Sequence, residues 1–162
     1  MAAGTTYGMA DAPRAARGCT CFKLRRLTRR VTAVYNRALA PCGLRVTQYS
    51  LLSNLRGTAA VPLCQLAQTL DLDRTTLTRN LKPLADAGWV EVRPSALDAR
   101  VRLVSLTASG AEHLRAARAS WKRAQEEVTG TIGDAQLLQL HEMLDRCVPL
   151  FRPPAEGEGD SE

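Results

Sequence analysis

The chain has 162 residues and a formal charge of +6, long enough for one domain whose core needs no disulfide or metal staple. No stretch reaches the ~18 apolar residues of a membrane span, and the five cysteines, an odd number at no framework-like spacing, read as free thiols of a reducing compartment. Between Arg14 and Arg102 sixteen Lys/Arg stand against five acids, whereas the rest of the chain holds six against eleven, a gathering of charge that suits a polyanionic partner.

Residues 1–18 are rich in Ala, Gly and Thr, lack the basic and apolar regions of a secretory signal, and are expected to form a disordered arm. From about Thr20 to Ala40, Leu24, Leu27, Val31, Val34 and Ala38 recur at steps of 3 and 4. That spacing predicts a helix with a narrow apolar seam, most of its arginines lying elsewhere on the surface. Pro41 and Gly43 end it. Thr47 is expected to cap a second helix carrying Tyr49, Leu52 and Leu55 and closed by Gly57.

Pro62 suits the first turn of a short helix striped by Leu63, Leu66, Ala67 and Leu70. Asp71-Leu72-Asp73 then forms a turn, with Asp73 as cap. The next helix, Arg74 to Ala87, has an inner face of Leu77, Leu81, Leu84 and Ala85. Pro83 within it removes a backbone donor and predicts a late bend. Trp89–Arg93 and Arg100–Leu106 alternate as two strands of a hairpin. Thr107 caps a long helix seamed by Leu114, Ala117, Trp121, Ala124 and Val128, broken at Gly130 and Gly133. Asp134 is expected to cap the last helix, whose seam of Leu137, Leu140, Leu144 and Cys147 or Val148 runs to Pro149. Residues 152–162, acidic and without apolar anchors, are expected to be a disordered tail.

The order helix, turn, helix, hairpin is that of a winged helix-turn-helix. Its second helix can fill a major groove, and its hairpin can reach the adjacent minor groove. The predicted fold is therefore mainly α with a small β-hairpin wing. It divides into an N-terminal dimerisation helix (19–43), a winged helix-turn-helix DNA-binding module (44–106) and C-terminal dimerisation helices (107–151). Three apolar seams exceed what one small module can cover, which points to helices interleaving across a homodimer. The candidate DNA contacts are Arg74, Thr75, Thr76, Thr78, Arg79 and Lys82 on the second helix, with Arg93, Asp98, Arg100 and Arg102 on the wing. Thr hydroxyls can bond phosphates or base edges, and Arg can pair bidentately with guanine or simply clamp a phosphate.

Three segments resemble the MarR family of bacterial transcriptional regulators: LRVTQYSLL (44–52), DRTTLTRNL (73–81), and above all DAR (98–100) running into VSLT (104–107) and Gly110. The resemblance spans about Thr20 to Phe151. It implies an obligate winged-helix dimer in which Arg100 enters the minor groove, Asp98 holds it in place and the Arg74–Arg79 face reads the major groove. It also implies an inverted-repeat operator and release by a small-molecule effector or an oxidant.

The cysteines are the strongest chemical clue to that signal. Cys21-Phe22-Lys23-Leu24 is similar to the reactive-cysteine segment of the family's organic-hydroperoxide-sensing branch, in which a tyrosine fourteen residues on bonds the thiolate; Tyr35 stands there. Two further aromatic positions of that branch are Val46 and Arg25 in this chain. Lys23, Arg25 and a helix N-terminus would favour a thiolate at Cys21, and a sulfenate formed there could be captured by a second thiol such as Cys19. Cys19 and Cys21 could instead hold a soft metal with Cys42 or Cys147 from elsewhere in the dimer. The plain reading is that the cysteines, Cys64 and Cys147 especially, act as small hydrophobes. Tyr35, Tyr49 and Trp121 are either an effector-pocket lining or core, and His113 and His141 are read as surface or ligand-lining residues. No cofactor is implied.

No phosphate-cradling glycine loop, zincin helix or strained serine elbow is present, so an enzyme is not expected. A winged-helix protein-interaction module is the remaining alternative, but it needs no basic reading face. The expectation is a cytoplasmic, sequence-specific binder of double-stranded DNA, a homodimer without membrane association, acting as a repressor.

Overall fold

The computed structural model describes residues 18–151. The arm expected over 1–18, Gly18 excepted, and the tail expected over 152–162 lie outside the described residues. The elements are α1 (Thr20–Leu39), α2 (Val46–Asn54), β1 (Val61–Pro62), α3 (Leu63–Thr69), α4 (Arg74–Asp86), β2 (Val90–Pro94), β3 (Arg102–Leu106), α5 (Ala108–Ile132) and α6 (Asp134–Cys147). Single 3-10 turns, Ala40–Cys42 and Val148–Leu150, follow α1 and α6. The fold is mainly helical with a small antiparallel sheet, as the periodicities require.

Several element ends differ from expectation for local reasons. Pro62 is not in the first turn of α3. It pairs with Leu103, and Val61 with Val104, adding a third strand in the order β1-β3-β2. Proline is tolerated on such an edge because no ladder donor is needed there. Thr47 does not cap α2. The cap is Arg45 and the helix starts two residues earlier than expected, because Gln48 Oε1 accepts the Arg45 N–H at 2.8 Å and Asn36 Oδ1 accepts the Val46 N–H at 2.9 Å. Gly130 does not break α5, which continues to Ile132 and stops where Gly133 adopts φ +91°. Asp134 is the first residue of α6 rather than its cap, where its charge meets the helix dipole. α4 continues through Pro83 to Asp86.

The largest fully buried side chains are Leu39, Leu51, Leu52, Leu55, Leu77, Leu84 and Val104. They come from the end of α1, from α2, from α4 and from β3, so the core sits where these elements meet. Ala85, expected on the inner face of α4, is exposed. The sheet leans on the same core through Val90 and Val104, with Val92 paired to Val104. α5 lies along α1 and buries Leu114, Ala117, Ala124 and Val128.

The long seams are covered over only part of their length. On α1, Val31, Val34 and Ala38 are half-buried, but Phe22, Leu24 and Leu27 are 60%, 45% and 38% exposed. On α6, Leu137 is buried, whereas Leu138 and Met143 within it, and Val148, Leu150 and Phe151 beyond it, stand in solvent. Among the described residues no helix is long and apolar enough to cross a membrane.

Candidate nucleic-acid interface

α4 begins on a fixed cap. The Asp73 carboxylate accepts the Thr76 backbone N–H and the Thr76 hydroxyl, each at 2.7 Å. The bond from the Thr76 side chain, then that from its backbone, holds the Asp73 carboxyl below its ordinary range. Before the cap, Asp71 takes a left-handed conformation (φ 48°), which a short polar side chain tolerates. The Leu72 N–H donates back to the Ala67 carbonyl at 2.9 Å, so the turn fixes α4 against α3.

Leu77, Leu81 and Leu84 anchor the inner face of α4. The outer face is therefore determined: Arg74, Thr75, Thr78, Arg79 and Lys82 are exposed and together line one shallow hollow. Thr76, named among the candidate DNA contacts, is half-buried and directs its hydroxyl to the cap. The Thr78 hydroxyl donates to the Arg74 carbonyl at 2.8 Å. Lys82 Nζ lies 2.9 Å from Asp86 Oδ2, an exposed pair of little energetic weight. Among the described residues Arg74 and Arg79 have no acidic partner.

The wing is a tight ribbon from Pro94, paired with Arg102, to a loop closed by its own backbone. Ser95 N–H donates to the Val101 carbonyl at 2.8 Å and Val101 N–H to the Asp98 carbonyl at 3.0 Å. Asp98 Oδ1 accepts the Arg100 backbone N–H at 2.9 Å. The aspartate thus fixes the Arg100 main chain and leaves the guanidinium exposed, without an acidic partner among the described residues. Residues opposite each other in a ladder share a face. Arg93, opposite Leu103, and Arg102, opposite Pro94, consequently lie on opposite faces of the ribbon.

Gly110, noted in the sequence as part of a motif, has a physical reason. A Cβ there would stand 2.0 Å from the Trp89 carbonyl oxygen, so only glycine lets α5 start against the foot of the wing. The Thr107 hydroxyl accepts the Gly110 N–H at 3.0 Å and donates to the Gly88 carbonyl at 2.7 Å. His113 is not a plain surface residue. It is half-buried, stacked on Trp89 with ring centroids 3.8 Å apart, and its Nε2 lies 2.9 Å from the Cys42 carbonyl oxygen. Nothing in its sequence spacing pointed to that role.

The predicted redox constellation does not assemble within one subunit. Cys19 and Cys21 are exposed at the start of α1. Tyr35 lies fourteen residues further along the same helix, roughly 21 Å at the ~1.5 Å rise per residue, and its hydroxyl bonds Gln125 of α5. Burial pushes the Tyr35 phenol up, so it serves there as a donor. Cys42 is half-buried with Sγ 3.6 Å from Ser120 Oγ. Cys64 and Cys147, read as small hydrophobes, are both exposed. Among the described residues no group of His, Cys, Asp and Glu is gathered as a metal site, so the subunit does not bring Cys19 and Cys21 to Cys42 or Cys147. Trp121 stacks on Tyr49 at 5.8 Å and tilts against Tyr35 at 6.4 Å, so these three rings pack on one another.

The model of the MarR family matches residues 44–101. The multiple antibiotic resistance protein MarR of Escherichia coli is 37% identical over 76 residues, 47% of this chain and 53% of that protein. The chain therefore spans about half the length of the curated relatives it matches. Among solved structures, the Mycobacterium tuberculosis transcriptional regulator MOSR in complex with DNA is 35% identical, with a TM-score of 0.66 over 80% of this chain and 98% of that one. A mutant MarR from Escherichia coli complexed with operator DNA is 25% identical, with a TM-score of 0.72 over 80% of this chain and 93% of that one.

Proposed function

Because the chain belongs to the MarR family, we propose that it is a transcriptional regulator that binds double-stranded DNA as a homodimer. The observation that carries this reading is the pairing of two exposed basic devices on one module. α4 offers Arg74, Thr75, Thr78, Arg79 and Lys82 along one face, and Asp98 sets the backbone from which Arg100 projects. In this reading α4 enters the major groove and Arg100 the minor groove beside it, while Arg93 and Arg102 take phosphates on either side of the wing. The relatives solved with operator DNA and with DNA support the same use of the fold.

The bare halves of the seams on α1 and α6 support dimerisation helices over 19–43 and 107–151, with the DNA-reading module over 44–106 between them. Two copies related by a twofold axis would present two α4 helices to half-sites roughly 34–36 Å apart on an inverted repeat. A cytoplasmic repressor released by a small molecule or an oxidant, without catalytic activity, completes the reading and fits the family.

The test is selection of a binding sequence from random duplexes, followed by gel-shift titration at two salt concentrations. A twofold-symmetric site whose affinity falls steeply with salt is expected. Absence of duplex binding at low salt would leave the winged module as a protein-interaction device.

A further inference from the structure

The reading helix must be held at a defined angle to the helices that carry the seams, and one side chain sits where these parts meet. α4 ends at Asp86, and three residues later Trp89 opens the wing. The Trp89 N–H donates to the Leu84 carbonyl at 2.9 Å, its own carbonyl accepts the Thr107 N–H at 3.1 Å, and that carbonyl lies against the Cα of Gly110. The Trp89 main chain is thus locked between the end of α4 and the first turn of α5. Its indole lies nearly parallel to the His113 imidazole, at an interplanar angle of 13°.

His113 Nε2 reaches across to the Cys42 carbonyl at 2.9 Å, in the 3-10 turn that follows α1. A carbonyl only accepts, so Nε2 carries the proton and donates. One ring therefore ties the foot of the reading helix, the start of α5 and the end of α1. The latter two helices bear the apolar seams; α4 bears the DNA contacts.

We propose that His113 is a positioning residue that sets which half-site spacing the dimer accepts. This rests on the DNA-binding dimer proposed above. In a twofold dimer, any change in the angle at which α4 leaves the scaffold is doubled in the separation of the two reading helices. A joint that stiffens this angle makes affinity fall steeply when an operator is lengthened or shortened by one base pair. Loosening it flattens that dependence.

The experiment compares wild type, H113F and H113Q on the selected operator and on versions with one base pair added to or removed from its centre. Phenylalanine keeps a flat ring for Trp89 but cannot donate to Cys42; the glutamine amide can take the place of Nε2. H113F is expected to lose on the order of tenfold in its preference for the natural spacing, the scale of one hydrogen bond, while H113Q retains most of it. The readout is a ratio of affinities, so a variant that is merely less stable lowers every value and leaves the ratio unchanged.

Equal spacing profiles for wild type and H113F would overturn the proposal. Should H113F fail to fold, H113L, which likewise cannot donate to Cys42, takes its place; an unaltered profile there would overturn it equally. If the wild type binds no duplex, the proposed function fails first and this inference falls with it. A wild type that binds with sharp spacing preference, unmoved by these variants, sinks only the inference.

Discussion

Arg100 and Asp98 divide one task between a side chain and a main chain. Asp98 Oδ1 bonds the Arg100 backbone N–H, so the acid shapes the loop and does not neutralise the guanidinium. Two outcomes follow. R100A should lose about 1–3 kcal/mol of operator affinity, about five- to 150-fold in gel shift. D98N, which keeps an oxygen acceptor, should bind far better than D98A, which does not. If D98N and D98A are equally impaired, the charge of Asp98 matters and the loop account is wrong. Asp73 makes a comparable case at the cap of α4. Its carboxyl titrates below the ordinary Asp range because Thr76 bonds the charged form, so the folded chain binds fewer protons than the unfolded one in that window. The stabilisation is complete above the unfolded value, about pH 4, and is lost as pH falls through the lower folded value. D73N keeps a cap oxygen without the charge. Thermal midpoints of wild type and D73N should therefore converge on going from about pH 6 to pH 3; parallel curves would remove Asp73 from the acid response.

Elements whose apolar spacing runs over several turns were legible in the sequence, because burial of a helical face leaves a period of 3.6. α1, α4, α5 and α6 all appear where their seams place them. The errors fall where a boundary depends on a distant partner. Asn36 of α1 starts α2 by accepting the Val46 N–H, and β1 exists only because β3 lies beside it; neither leaves a periodic trace. The exposed face of α4 was legible for the same reason as its buried one, and Thr76 sits half-buried beside it because the cap claims its hydroxyl. His113 was missed because stacking and a bond to a backbone carbonyl carry no sequence signature. Glycine shows the same contrast and can be tested. A Cβ on Gly110 would collide with backbone, whereas one on Gly130 meets nothing within 4 Å. G110A should cost about 1–3 kcal/mol or more, as overpacking does. G130A, in a helix interior, should gain about 0.5–1 kcal/mol. Thermal melts of the two variants should move in opposite directions; a tolerated G110A would contradict the close approach of α5 to the wing.

At the scale of the whole molecule, the distribution of apolar surface decides how two copies meet. Phe22, Leu24 and Leu27 form one bare stretch, and Leu138, Met143, Val148, Leu150 and Phe151 another. Leu24 and Leu27 continue the seam of α1, and Val148 that of α6, beyond the part covered within the subunit, the pattern of a core left open for a second chain. A glutamate at Leu27 or Val148, 38% and 56% exposed, costs little in the isolated subunit, where each side chain already reaches water. In the dimer the same charge would be buried without a partner. The double variant L27E/V148E should therefore keep its helical content and sediment as a monomer at concentrations where the wild type sediments as a dimer. Its affinity for a full inverted repeat should drop by on the order of a hundredfold, towards that of a single half-site, because the second module is no longer tethered to the first. A variant that remains dimeric would show that these stretches are not the interface. One that becomes monomeric yet binds the full operator as tightly as wild type would show that each subunit reads DNA alone.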